Sequence, residues 1–75
     1  MLFQFYPNPA TSIINILDES NQLQNTTIQI QNYLGQIVFT TPFSSQINLS
    51  SLSAGMYFLT IEDKYIKKII KIIKE

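Results

Sequence analysis

The stretch Thr26-Thr27-Ile28-Gln29-Ile30-Gln31 alternates apolar and polar side chains with a period of two. Successive side chains of an extended chain point to opposite faces, so Ile28 and Ile30 share one face and Thr27, Gln29 and Gln31 the other. The pattern predicts a β-strand with one face buried. Asn32-Tyr33-Leu34-Gly35 follows, and Gly35 supplies a backbone conformation that other residues resist. It predicts a hairpin into a strand over residues 36–41, ended by Pro42.

The same reading extends in both directions. Upstream, residues 2–6 form a candidate strand stopped by Pro7-Asn8-Pro9, a rigid corner that forbids helix and strand alike. Residues 12–17 form the next, ending at the polar turn Asp18-Glu19-Ser20-Asn21. Downstream lies a very short strand over residues 46–49, then the tight turn Ser50-Ser51-Leu52-Ser53-Ala54-Gly55. A strand over residues 56–62 places Tyr57, Leu59 and Ile61 on one face, and Glu62-Asp63-Lys64 turns the chain into residues 65–73. Seven short strands with turns at intervals of about 8–12 residues predict an all-β sandwich.

The last segment reads two ways. Ile66, Ile69, Ile70 and Ile73 fall at helical spacing with Lys67, Lys68, Lys71 and Lys74 opposite, the pattern of an amphipathic helix. Five isoleucines within residues 65–73 instead favour a strand, because β-branched side chains suit the pleated sheet. Asp63 is the one candidate helix cap. The strand reading is preferred; the helical one would make this segment a basic, lipid-binding surface peptide.

Composition narrows the function. The chain has 75 residues, 45% hydrophobic and 13% charged, the balance of one small folded domain rather than a disordered tail. Met1 reads as a start residue ahead of a fragment from something longer. No signal peptide is expected, because residues 1–6 carry no basic residue and run straight into proline. No apolar run approaches the ~20 residues of a membrane helix. Five basic residues balance five acidic ones, so nothing points to a nucleic-acid partner.

Catalysis is not expected. Without cysteine there is no disulfide framework and no thiol nucleophile, and without histidine no base near neutral pH. Asp18-Glu19 and Glu62-Asp63 are neighbours in turns, pointing apart rather than forming an acid/base pair. Solvated turn charge describes them better than a calcium site would. No cofactor is expected, since Gly35 and Gly55 are the only glycines and make no phosphate loop.

Two groups of side chains remain as candidates for recognition. Four of the five lysines lie at Lys67, Lys68, Lys71 and Lys74; they serve either as edge-strand protection or as a basic stripe read by a partner, including by strand addition. If Tyr57, Leu59 and Ile61 point inward, Met56 and Phe58 point outward, forming an exposed apolar patch with Phe3, Phe5 or Phe43. Spare apolar surface of this kind also makes a homodimer an expectation.

Four blocks in order resemble one family. Tyr6-Pro7-Asn8-Pro9-Ala10, Gly35-Gln36-Ile37-Val38, the block from Ile47-Asn48-Leu49-Ser50 through Gly55-Met56-Tyr57-Phe58-Leu59, and Lys67-Lys68-Ile69-Ile70-Lys71 resemble the type A C-terminal sorting domains of the type IX secretion system. Asn48 departs from the pattern where aspartate is frequent, and so does the acidic tail residue Glu75. The resemblance implies an immunoglobulin-like, seven-stranded antiparallel β-sandwich at the carboxyl end of a secreted protein of Bacteroidota. It implies a non-catalytic tag that carries an N-terminal cargo domain through the periplasm and across the outer membrane. There a sortase-like protease removes it, leaving cargo secreted or on the cell surface. It marks Pro7, Asn8, Pro9, Gly35, Gly55, Tyr57 and the four lysines as recognition residues. The competing reading is an immunoglobulin-like binding or adhesion module, which the short serine- and asparagine-rich turns disfavour.

Overall fold

The computed structural model describes residues 3–6, 12–19 and 22–75. These residues hold seven strands: β1 Phe3–Tyr6, β2 Ile13–Asp18, β3 Thr27–Asn32, β4 Ile37–Pro42, β5 Gln46–Asn48, β6 Gly55–Glu62 and β7 Lys67–Lys74. They form two antiparallel sheets, β1-β2-β5 and β4-β3-β6-β7. The arrangement is that of an immunoglobulin-like sandwich in which the fourth strand stays in hairpin with the third.

The segment with two readings is a strand. β7 pairs with β6 without interruption, from Gly55↔Lys74 to Glu62↔Lys67. Pairing decides against the helix: β6 is already extended, and eight residues of ladder satisfy more backbone than an isolated short helix in water. With that, the helical surface-peptide reading falls.

The core is built almost wholly of branched aliphatics. Ile14 and Ile16 of β2 and Ile47 of β5 face Ile28 and Ile30 of β3, Tyr57, Leu59 and Ile61 of β6, and Ile72 of β7, with Leu23 and Leu49 entering from connections. Each fully buried isoleucine contributes about 1.5–3 kcal/mol relative to exposure. The anticipated inward face of β6 is realised, with Leu59 and Ile61 fully buried.

The connections explain why polar residues crowd the turns. Asp18 accepts from the backbone N–H of Gln22 at 3.3 Å and of Leu23 at 2.9 Å, holding the loop that drops Leu23 into the core. Asp63 Oδ1 accepts from the N–H groups of Tyr65 (2.7 Å) and Ile66 (2.8 Å) and so closes the β6–β7 turn. In the β3–β4 hairpin the Gly35 N–H donates to the Asn32 carbonyl at 3.0 Å and the Asn32 N–H to the Gln36 carbonyl at 2.9 Å. Gly35 has φ +84° there, the left-handed residue that closes a three-residue hairpin loop.

Candidate recognition surface

Cross-strand partners in an antiparallel ladder project on the same face. The outer face of the four-stranded sheet can therefore be read row by row from the register. One row runs Thr40, Gln29, Thr60, Ile69; the next runs Ile37, Gln31, Phe58, Lys71; a third pairs Met56 with Ile73. Met56 and Phe58 do face outward, Met56 exposed and Phe58 half-buried. Their expected companions do not join them. Phe5 and Phe43 pack against the core instead, and the Phe3 side chain lies outside the described residues. The apolar neighbours on this face are Ile37, Ile69 and Ile73, all exposed.

The lysines divide between faces, because consecutive strand residues alternate. Lys67 and Lys71 lie on the outer face with Ile69 and Ile73; Lys68 and Lys74 share the inner side with Ile70 and Ile72. Helical spacing would have gathered all four on one stripe. The strand gathers them along one edge, since β7 is the outermost strand of its sheet among the described residues. Lys67, Lys68 and Lys71 are exposed, and Lys74 Nζ donates to the Glu75 carbonyl at 3.0 Å.

The other motif residues shape the fold. Gly55 opens β6 with φ +153°, a conformation that L side chains rarely adopt, in space a Cβ would not crowd. Tyr57 is only 7% exposed, and its hydroxyl donates to the Ser53 carbonyl at 2.7 Å. Such a bond pins the crossing from one sheet to the other and resembles the tyrosine corner of immunoglobulin-like sandwiches. Asn48 Oδ1 accepts from the Ser50 N–H at 2.9 Å and the Ser50 hydroxyl at 2.6 Å. The amide oxygen supplies the acceptor that this turn uses. Pro7, Asn8 and Pro9 lie outside the described residues.

Gly35, Gly55 and Lys74 converge at one end of the four-stranded sheet, where Asn32 pairs with Tyr57 and Gly55 with Lys74. Sequence reasoning missed the apolar run on the neighbouring hairpin, where Tyr33, Leu34, Ile37, Val38 and Phe39 are all exposed. Its signal was legible in hindsight: five large apolar residues within seven positions do not alternate with polar ones.

Chemistry is sparse. Among the described residues no group of three or more acidic, histidine or cysteine side chains stands close enough to hold a metal ion. A shallow hollow of about 250 Å³ on the outer face, lined by Thr27, Gln29, Thr60 and Glu62, brings together a single carboxylate with hydroxyls and an amide. No helix among the described residues is long and apolar enough to cross a membrane.

No curated protein matches the chain. The family profile described as "Secretion system C-terminal sorting domain" matches residues 4–75. That match spans the sandwich from β1 to beyond β7, and the chain belongs to the family of type IX secretion C-terminal sorting domains.

Proposed function

We propose that this chain is a single domain at the carboxyl end of a longer secreted protein, recognised at the outer membrane through its last strand. It carries an attached cargo domain from the periplasm to the cell exterior, where a sortase-like protease cuts it away. It performs no chemistry of its own. The observation that supports this reading most is a division of labour among the motif residues. Gly35, Gly55 and Tyr57 serve backbone geometry and packing, whereas the lysines of β7 present charge along the last described strand of the sheet. Interaction with the secretion machinery comes with the family. Its placement on β7 rests on this contrast.

The test is export. Residues 1–75 are fused behind a signal peptide and a reporter in a type IX-competent host, beside a known sorting domain on the same reporter. The expected result is reporter outside the cell. Reporter held in the periplasm while the known domain exports it overturns the reading. Removing residues 67–75 should abolish export.

A further inference from the structure

The β3–β4 hairpin ends in two adjacent large apolar side chains. Tyr33 is 70% exposed and Leu34 66%, and Ile37 and Met56 are exposed beside them at the same end of the sheet. The tip is also closed on itself. Asn32 Oδ1 accepts from the N–H groups of Leu34 (2.9 Å) and Gln36 (3.0 Å), and the Asn32 carbonyl accepts from the Gly35 N–H at 3.0 Å. The two amide side chains engage each other, Asn32 Nδ2 donating to Gln36 Oε1 at 2.8 Å. One residue thus takes up the N–H groups of residues 34, 35 and 36. At a turn exposed to water, solvent would satisfy those groups unaided. In an apolar medium each unsatisfied one is costly, so internal satisfaction is what such a medium demands.

Charge is absent where the tip would leave water. No charged residue lies between Glu19 and Glu62, so β3, its hairpin, β4, β5 and β6 as far as Ile61 carry none. Four of the five acidic residues gather toward the opposite end of the sheet. Asp18, with Glu19 beside it, holds Leu23 just before β3; Glu62 pairs with Thr27, where β3 begins; Asp63 closes the turn after β6. We infer that the hairpin tip inserts Tyr33 and Leu34 into the boundary between headgroups and acyl chains of a lipid bilayer, with Ile37 and Met56 resting against it. The apolar side chains supply the attraction, the tyrosine hydroxyl stays at headgroup level, and the Asn32 bonds spare the tip much of the backbone penalty. A protein partner fits less well, because a projecting tip whose N–H groups are already engaged offers it few donors. The contact lies on the hairpin and not on β7, so it stands whether or not the domain is recognised through its last strand.

The chain has no tryptophan, so Tyr33→Trp makes a single emitter at the tip. Tyr65→Trp makes one at the other end, where Tyr65 is 89% exposed in the β6–β7 turn. Each full-length variant is titrated with phosphatidylcholine vesicles at millimolar lipid, because small apolar anchors grip weakly and even a myristoyl chain reaches only about 10⁴ M⁻¹. The expected result is a blue shift and quenching by brominated lipid at position 33 and neither at position 65. High salt should not release the protein, since these lipids carry no net charge. Adding Leu34→Asp to the tip emitter keeps the backbone N–H that Asn32 engages. It should weaken partition at least about tenfold while the circular dichroism spectrum stays unchanged. Absence of a shift at position 33 overturns the inference, as do equal responses at the two positions, binding abolished by salt, or undiminished partition of the Leu34→Asp variant. Emission from position 33 that is already blue-shifted without lipid and reverts on dilution gives the tip to a second copy of the chain and overturns it too.

Discussion

The two edges of the four-stranded sheet, β4 and β7, solve the same problem by different means. Each is the last described strand on its side of the sheet, and both carry exposed isoleucine. β4 has no charged residue; its pairing is interrupted by an extra residue at Val38 and stopped by Pro42. β7 is regular and is covered by lysines. A bulge and a proline disfavour any incoming strand, whereas lysines disfavour chiefly those that cannot match their charge. The comparison teaches that β7 is guarded selectively. A second contrast lies in anchoring: Ile72 of β7 is 1% exposed, whereas β4 has no fully buried residue.

The anchor is the place to break the comparison hardest. Ile72→Ala should cost about 3 kcal/mol through lost burial and the cavity left behind. A core of this size supplies only about 3–5 kcal/mol in all, so the variant should keep no more than about 2 kcal/mol and show a much lower midpoint in urea titration. Val38→Ala on β4 should stay within about 0.5 kcal/mol of the parent in the same titration. Equal losses at the two sites would dissolve the contrast.

A smaller effect is expected at the turn that holds β4. Gly35→Ala forces a side chain into a backbone with φ +84°, and a Cβ there meets nothing within 4 Å. The cost is therefore conformational alone, about 1–2 kcal/mol, read as a lower melting temperature. Tyr57→Phe comes next. It keeps the ring beside Ile72, its cross-strand partner, and removes the bond to the Ser53 carbonyl, for a loss of about 1 kcal/mol.

Most of this architecture was legible in the sequence, and particular residues show why. The alternation around Ile28 and Ile30 exposes its period directly, and turns built on Gly35 and Asp63 announce themselves by residue type. β7 was legible only in part: Lys67-Lys68-Ile69-Ile70-Lys71-Ile72-Ile73-Lys74 repeats at a helical interval, and only the β6 ladder makes it a strand. The strand keeps the lysines on the edge already expected for them and divides them between its two faces, where the helical alternative would have put them on one. The apolar companions of Met56 were misassigned for a related reason. Phe5 and Phe43 are far from β6 in sequence, and no local pattern reveals that they lean on the core while Ile73 sits across from Met56.

The smallest expected effect on stability belongs to the lysines. Replacing Lys67, Lys68, Lys71 and Lys74 together with glutamine alters no fully buried residue, and should shift stability by no more than about 0.5 kcal/mol per site. That variant separates folding from recognition, which deletion of the strand does not, because deletion also removes Ile72.

Its export is the most direct measure of the central claim. With the glutamine variant fused to the reporter and its fold verified by circular dichroism and melting, the reporter should accumulate in the periplasm while the parent domain delivers it outside. Export of the folded variant at the parent's rate would contradict the assignment of recognition to the charged edge of β7.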